Sequence, residues 1–196
     1  MSLSDRSTSY TASRWGLSGS ELSYSGLLSG CKASASPRLR SIPTLNDEIT
    51  TQYGVTLASL DTVLSCAEFV SIHVPLSAET EYLVGAREFG PMNPSAYLID
   101  TARGAVVDEE ALVCALQQGP IAGAALDVLT QEPPASDHPL LHLDNVIVMP
   151  YAASVSVESR QAARQDVCDA VTALLSGQWP PFVVNQMVTP RFLLAS

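Results

Sequence analysis

Polar and reactive side chains follow four short apolar segments of this 196-residue chain, at the point where each segment ends. In chain order they are His73, Thr101 with Arg103, Asp127 with Glu132, and Tyr151 with Ser154. Arginine binds carboxylates through two parallel hydrogen bonds, and imidazole, carboxylate and phenol groups exchange protons. If the apolar segments are parallel strands, their carboxyl ends meet at one edge of a sheet, where open sheets bind ligands. These residues are therefore the first candidates for a functional site.

Arg103 has the most specific chemistry of this set. It follows an apolar segment and lies between Ala102 and Gly104, so its small neighbours leave the guanidinium room to reach a ligand. A guanidinium in that place suits a carboxylate, which it binds in bidentate fashion. The alternative is a surface arginine in a turn, without any ligand. The residue alone does not decide between these two interpretations.

The elements that carry these residues alternate in type along the chain. From Pro43 onward, apolar runs, turn residues and helical patterns follow one another in the order typical of repeated β-α units. The pattern predicts strands at 69–74, 96–100, 123–128 and 145–149, and helices at 57–67, 108–117 and 156–176. Short apolar strands separated by helices predict a parallel sheet. The predicted fold class is therefore α/β.

Residues 1–42 differ from the rest of the chain. They are rich in serine, and their leucines follow no sustained helical or strand period, so we expect this segment to be disordered or degraded. A single α/β domain is predicted over 43–188, including the long helix, and 189–196 is predicted to form a tail. One domain is also what the chain length suggests.

Composition argues against several classes of function. The chain has 20 acidic and 10 basic residues, whereas nucleic-acid binding requires clustered lysine and arginine. No apolar run reaches the roughly 18 residues of a membrane span and the start lacks a hydrophobic signal core, so we expect a soluble, cytoplasmic protein. The four cysteines form no Cys-x-x-Cys pair and are predicted to be reduced core residues. No metal site is expected, because Pro139 opposes the helix that would align His138 with His142.

Six segments, in matching order and spacing, resemble those of D-2-hydroxyacid dehydrogenases. They are 71–76 (Ser-Ile-His-Val-Pro-Leu), 99–108 (Ile-Asp-Thr-Ala-Arg-Gly-Ala-Val-Val-Asp), 123–128 (Gly-Ala-Ala-Leu-Asp-Val), 131–134, 137–141 and 145–150. The resemblance runs from about Pro43 to Val188, and it identifies the chain as a truncated member of the D-isomer-specific 2-hydroxyacid dehydrogenase family, without the separate substrate domain. It implies a Rossmann-like parallel sheet, NAD as cofactor with NADP as the alternative, and interconversion of 2-hydroxy and 2-oxo acids.

The resemblance also implies catalytic roles. In that family the arginine that matches Arg103 clamps the substrate carboxylate, and the glutamate that matches Glu132 pairs with a histidine that exchanges the hydroxyl proton. Here Pro150 is followed by Tyr151, where the family has that histidine. Tyr151 is the remaining candidate proton donor, but phenols titrate near pH 10 unless a cation is close, and Arg103 is the plausible cation. Turnover is therefore expected to be weakened or lost.

For the cofactor, the resemblance places the nicotinamide side of the site on Val74, Pro75, Thr101, Ala102, Arg103, Asp127, Tyr151 and Ser154. Asp127 would contact the carboxamide, and a capping role is its alternative. The phosphate side departs from the family, because a dinucleotide fold needs Gly-x-Gly-x-x-Gly after its first strand. The glycines of 15–41 have other spacings, and Ile42-Pro43 occupies the place of the ribose-binding acid. The first glycine-loop β-α unit is thus expected to be degraded or missing.

A function of another class is also open. Members of this family commonly pair through the nucleotide-binding domain, and an incomplete sheet with an exposed edge favours association. The chain would then be a noncatalytic module that forms a homodimer or binds another partner. For the enzyme, the expected partner is a small 2-hydroxy or 2-oxo acid, and the sequence identifies neither that acid nor the choice between NAD and NADP.

Overall fold

The computed structural model describes residues 10–13, 38–41, 55–180, 183–185 and 187. The chain divides into two compact units, Met1–Tyr151 and Ala152–Ser196. The first unit holds the sheet, and the described part of the second holds one long helix. The boundary after Tyr151 falls within the predicted 43–188 domain, so the long helix lies in a unit of its own.

Seven strands form one sheet in the described part of the first unit. They are β1 (Tyr10–Ser13), β2 (Arg38–Ser41), β3 (Val55–Leu57), β4 (Phe69–Ile72), β5 (Tyr97–Asp100), β6 (Gly123–Leu126) and β7 (Val146–Val148). Their order across the sheet is β3-β2-β1-β4-β5-β6-β7, and β4 to β7 are parallel to one another. The α/β class and the Rossmann-like parallel sheet are therefore confirmed.

β1 runs antiparallel to both of its neighbours, β2 and β4. Its carboxyl end therefore lies at the opposite edge of the sheet from the carboxyl ends of β4 to β7. Both β1 and β2 lie in the serine-rich segment, where the sequence pattern predicts no strand. The sequences of β1 (Tyr-Thr-Ala-Ser) and β2 (Arg-Leu-Arg-Ser) contain no apolar run of the kind that marks β4 to β7, so these strands depend on pairing with neighbours that are distant in sequence.

The predicted glycine-loop region lies mostly outside the described residues. The structure does not describe Gly16, Gly19, Gly26, Gly30, Ile42 or Pro43. Cys31 and the predicted tail at 189–196 also lie outside the described residues. The prediction that the first β-α unit is degraded or missing therefore stays a prediction.

The helices of the first unit are α1 (Leu60–Cys66), α2 (Ala86–Phe89) and α3 (Glu109–Gln118), with 3-10 turns at Gly104–Val106 and Pro139–His142. Asp108 caps α3 by accepting a hydrogen bond from the N–H of Ala111 at 3.1 Å. Gly119 ends the same helix with a φ of 88°, which glycine adopts without strain. Both helices that the sequence pattern predicts in this unit are present, the first starting later than predicted.

The core lies between α1, α3 and the central strands. Its most deeply buried side chains, each at most 1% exposed, include Val63, Leu64, Ile72, Leu98 and Leu112. Burying an aliphatic side chain of this size stabilises a fold by about 1.5–3 kcal/mol. This packing fixes the positions of β4 and β5, and through them the loops that follow these strands.

The cysteines do not fill this core. Cys66 and Cys114 are free and exposed in the first unit, and Cys168 is free and exposed in the second, so the prediction is wrong for these three residues. Cys114 shows the reason, because α3 buries Leu112, Ala115 and Leu116 on its other face. The residue type alone does not show whether a small apolar residue lies on the buried or the exposed face of a helix.

The second unit contains α4 (Val157–Leu175), within the bounds that the sequence pattern predicts. Ser156 caps this helix by accepting a hydrogen bond from the N–H of Ser159 at 3.0 Å. None of its residues is buried, and Val167 and Val171 of the apolar stripe are 63% and 50% exposed. Among the described residues, no helix combines the length and the apolar character needed to cross a membrane.

Candidate functional site

Most of the predicted site residues lie at the carboxyl ends of β4 to β7. Hydrogen bonds continue there beyond the strands: the N–H of Asp127 donates to the carbonyl of Asp100 at 2.9 Å, and the N–H of Tyr151 donates to the carbonyl of Asp127 at 3.2 Å. The residues that follow β5, β6 and β7 are thus held side by side. This edge is where open parallel sheets bind their ligands.

Arg103 lies over the aromatic ring of Tyr151. Its guanidinium carbon is 5.9 Å from the ring centroid, within the range of a cation–π interaction. Arg103 is exposed, and its Nη1 donates to the carbonyl of Ala102 at 2.6 Å. Within the described part of the chain it forms no salt bridge. Its positive charge is therefore available to an anionic ligand.

Glu132 and Tyr151 line one cavity of about 390 Å³. The rest of its wall is apolar and includes Leu129, Leu141 and Met149. Oε1 of Glu132 accepts a hydrogen bond from the N–H of Leu129 at 2.9 Å, which fixes the carboxylate. Tyr151 thus contacts Arg103 on one side and shares a cavity with Glu132, so the structure brings the three predicted catalytic residues together.

Two residues that the sequence analysis missed hold the loop that carries Glu132. Gly104 packs so closely against this loop that a Cβ at Gly104 would overlap backbone atoms of Leu129 and Thr130. Glu109, in the first turn of α3, accepts a hydrogen bond from the N–H of Thr130 at 2.6 Å. The position of the Glu132 carboxylate therefore depends on the 3-10 turn and on α3 as well as on its own loop.

The histidines at 138 and 142 have separate partners. Nε2 of His138 lies 3.2 Å from a carboxylate oxygen of Glu109, while its Nδ1 accepts a hydrogen bond from the N–H of Leu140 at 3.3 Å. Since Nδ1 is an acceptor, the proton is on Nε2 and faces Glu109. Nε2 of His142 contacts the carbonyl of Ser136 at 3.1 Å. His138 thus gives the loop a second attachment to α3.

Asp100 is a buried carboxyl group at the end of β5, only 1% exposed. Burial raises its pKa to about 7, because an ionised carboxylate loses its hydration there. The N–H of Ala102, which donates to Oδ1 at 2.7 Å, and the charge of Arg103 both oppose this rise. Asp100 therefore shapes the turn that leads to Arg103.

His73 follows β4 and is largely enclosed. Burial lowers its pKa to about 4, so the ring is neutral at physiological pH. Its Nε2 shares a hydrogen bond of 2.7 Å with the hydroxyl of Ser71, and its Nδ1 lies 3.4 Å from the hydroxyl of Thr101. A neutral imidazole held in this way does not replace the imidazolium that is missing at position 151.

The residues predicted for the nicotinamide side differ in exposure. Three of them are buried, with at most 8% of their surface exposed: Val74, Ala102 and Asp127. Three others are exposed, namely Pro75, Arg103 and Tyr151, and Thr101 is intermediate. The exposed residues can meet a ligand through their side chains. Ser154 belongs to the second unit, and its place is described only within that unit.

Comparison with known families gives a match over most of the first unit. A sequence model described as "D-isomer specific 2-hydroxyacid dehydrogenase, NAD binding domain" matches residues 36–153. A glyoxylate reductase from Thermofilum pendens is 50% identical over 129 residues, which are 66% of this chain and 38% of that protein. Glyoxylate/hydroxypyruvate reductase B from Pectobacterium atrosepticum is 45% identical over 129 residues, 66% of this chain and 40% of that protein. The chain thus spans well under half the length of these curated relatives.

Solved structures show the same similarity. D-lactate dehydrogenase with NAD+ from Lactobacillus jensenii matches with a TM-score of 0.77 and 31% identity, over 86% of this chain and 54% of that one. The NAD-complexed D-isomer specific 2-hydroxyacid dehydrogenase from Lactobacillus delbrueckii ssp. bulgaricus matches with a TM-score of 0.74 and 30% identity, over 85% and 54% of the two chains. Each match covers more than four fifths of this chain and about half of the solved one.

Proposed function

The chain belongs to the D-isomer-specific 2-hydroxyacid dehydrogenase family, and we propose that it acts as a weakened oxidoreductase that binds a small 2-hydroxy or 2-oxo acid through Arg103. One observation carries the proposal: Arg103, unpaired with any acid in the described part of the chain, lies over Tyr151 beside the cavity that holds Glu132. An exposed guanidinium binds a carboxylate with two hydrogen bonds. The names of the curated relatives add glyoxylate as the substrate to try first.

NAD is the proposed cofactor. The family model that matches is that of an NAD-binding domain, and the two similar solved structures are NAD complexes. When bound, NADH supplies a hydride to the carbonyl carbon of a 2-oxo acid. The described residues fit the nicotinamide half, because Asp127 offers a carboxylate acceptor for the carboxamide after β6 and Ala102 leaves space after β5.

Tyr151 limits the proposed reaction. Reduction of a 2-oxo acid needs a proton at the carbonyl oxygen, and the phenol beside Arg103 is the group in place to donate it. A phenol is a far weaker acid than an imidazolium, so it transfers this proton less readily near pH 7. Glu132, whose family counterpart pairs with a histidine, here shares its cavity with the phenol. The proposed turnover is therefore slow.

Reduction of glyoxylate by the purified full chain, followed by NADH absorbance, tests this proposal. We expect Tyr151→His to raise kcat at least about tenfold, since a positioned acid–base group contributes about 10²–10⁴-fold. Tyr151→Phe keeps the ring under Arg103 and serves as the matched control, with no more activity than the wild type. A wild-type kcat above about 10 s⁻¹ that Tyr151→Phe leaves unchanged would contradict the proposal.

A noncatalytic dimerising module is the second proposed function, and α4 is the observation that favours it. None of the residues of this helix is buried. Val167 and Val171, which belong to its apolar stripe, are both exposed. Exposed apolar helix faces commonly mark association surfaces. A stable dimer in sedimentation, combined with the absence of NADH binding, would favour this function over the first.

A further inference from the structure

The loop that carries Glu132 is exposed over most of its length. It runs from Leu129 to His138 and contains no helix or strand. Inside it, the N–H of Leu129 donates to Oε1 of Glu132 at 2.9 Å, and the N–H of His138 donates to the carbonyl of Ala135 at 3.0 Å. Exposed segments with few buried contacts open locally at low cost. The position of Glu132 therefore depends on what holds the two ends of this loop.

Both ends of the loop meet a single carboxylate, that of Glu109 on α3. Its Oε1 accepts a hydrogen bond from the N–H of Thr130 at 2.6 Å, just before Glu132 in the chain. Its Oε2 lies 3.2 Å from Nε2 of His138, beyond Glu132 in the chain. The side chains of Glu109 and His138 are only 18% and 20% exposed, so water competes little for these contacts. Each oxygen has its own donor, and the carboxylate thus bridges the loop.

His138 has two partners, which use different ring nitrogens. Nε2 faces Glu109, whereas Nδ1 accepts a hydrogen bond from the N–H of Leu140 and so caps the 3-10 turn Pro139–His142. The first contact ties the loop to α3, and the second belongs to the turn that follows the loop. An asparagine side chain reaches only as far as Nδ1, while a glutamine side chain reaches as far as Nε2. Substitution can therefore separate the two contacts.

We propose, resting on the function proposed above, that Glu109 and His138 are positioning residues for Glu132. By closing the loop at both ends, they keep the Glu132 carboxylate on the N–H of Leu129 and in the wall of the cavity that it shares with Tyr151. Without this pair, the loop visits conformations in which Glu132 leaves the cavity, and the fraction of competent molecules falls. Neither positioning residue lines the cavity, so their loss lowers kcat and leaves KM nearly unchanged.

Amide hydrogen exchange at the N–H of Leu129, followed by NMR on the purified full chain, tests the pair without requiring turnover. We expect Glu109→Gln to speed this exchange at least about tenfold, because an NH₂ group replaces one acceptor oxygen and faces a donor. Glu110→Gln is the matched control, since it removes an exposed carboxylate from the same helical turn and should leave the exchange unchanged. The N–H of Leu112 in α3 should exchange at the wild-type rate in both variants, which shows that the helix is intact. Unchanged exchange at Leu129 in folded Glu109→Gln would overturn the proposal.

Two substitutions of His138 separate positioning from capping. His138→Asn keeps an acceptor for the N–H of Leu140 but is too short to reach Glu109, whereas His138→Gln can donate to Glu109 and gives up the cap. We expect the asparagine variant to speed exchange at Leu129 at least about tenfold and the glutamine variant to exchange at nearly the wild-type rate. The reverse order, or equal changes in the two variants, would show that His138 does not act through Glu109 and would overturn the proposal.

Reduction of glyoxylate with NADH connects the loop to the proposed reaction. His138→Asn should lower kcat at least about tenfold with little change in KM, and His138→Gln should retain most of the wild-type kcat. Faster exchange at Leu129 in His138→Asn, without any glyoxylate reduction by the wild type, refutes the proposed function and supports the pair. Wild-type turnover that His138→Asn leaves unchanged, despite faster exchange, refutes the positioning role and leaves the proposed function standing.

Discussion

Tyr151 contacts Arg103 and lines the same cavity as Glu132. Its ring lies under the guanidinium of Arg103, whose carbon is 5.9 Å from the ring centroid. A cation–π contact of this kind contributes about 0.5–1 kcal/mol at an exposed position, enough to bias the arginine toward one orientation. In the function proposed here, Tyr151 keeps Arg103 positioned for a carboxylate but is a weaker acid than the histidine that relatives of the family have at this position.

Asp100 gives the site region a pH dependence. Its pKa is raised from 3.8 to about 7 by burial, so between about pH 4 and pH 7 the folded chain holds a proton that the unfolded chain has released. Stability contributed by this group therefore falls as pH rises through that window. Above about pH 7 the carboxylate is ionised in both states and the loss is complete.

We expect Asp100→Asn to remove this loss, because the amide oxygen can still accept from the N–H of Ala102 and carries no charge. The gain in the free energy of unfolding over the wild type should grow from pH 4 to pH 8, to on the order of a few kcal/mol. Urea unfolding at each pH measures it, and Asp144→Asn, at an exposed aspartate, controls for net charge. A gain that is the same at pH 4 and pH 8 would show that Asp100 is not a buried acid.

The residues that could be identified from the sequence are those within contiguous motifs. Arg103 lies within the segment 99–108 and Glu132 within the segment 131–134, so the neighbouring residues suggested a role for each. The contact of Glu109 with His138 joins residues 29 positions apart, and the cavity forms from separate loops. Such features arise from packing between elements, which a linear pattern does not encode.

At the scale of elements, the loop after β6 is held from three directions. The 3-10 turn contacts it through Gly104, α3 binds it through Glu109, and Glu132 returns a hydrogen bond to the loop itself. Because backbone lies directly against backbone at Gly104, any side chain at this position displaces the loop. The carboxylate of Glu132 would move with it.

Gly104→Ala is therefore expected to lower the free energy of unfolding by about 1–3 kcal/mol, the usual cost of forcing extra atoms into a packed site. Urea unfolding measures this change. Gly90→Ala is the matched control: its new Cβ would lie 3.6 Å from the nearest atom, and its backbone is helical, so its stability should stay within about 1 kcal/mol of the wild type. Equal stability of the two variants would contradict the close contact described at Gly104.

Whether a strand or helix could be predicted depends on whether its own residues form an apolar pattern bounded by turn residues. Strands β4 to β7 are apolar runs bounded by turn residues and were predicted with small differences at their ends. β1, β2 and β3 were missed: β1 and β2 contain no apolar run and pair with strands distant in sequence, and β3 (Val55–Leu57) ends at the residue where a helix was predicted to begin. The apolar period of α4 predicted a helix correctly but gave no information on what its stripe contacts.

At the scale of the whole molecule, the matched region and the first compact unit nearly coincide. The family match ends at residue 153, two residues beyond the boundary of the unit that holds the sheet. This unit contains Arg103, Glu132 and Tyr151, while Ser154 and α4 lie in the second. The proposed ligand-binding residues Arg103, Glu132 and Tyr151 thus belong to one unit, and the helix proposed for association belongs to the other.

Calorimetric titration of NADH into the purified full chain separates the two proposed functions, since an oxidoreductase must bind its cofactor and a dimerising module need not. We expect saturable binding of NADH with a Kd in the micromolar range, weakened by Asp127→Asn and unchanged by Asp144→Asn. Sedimentation of the same sample gives the oligomeric state. No binding of NADH up to millimolar concentration by a folded, stably dimeric chain would contradict the proposed oxidoreductase function and favour the dimerising module.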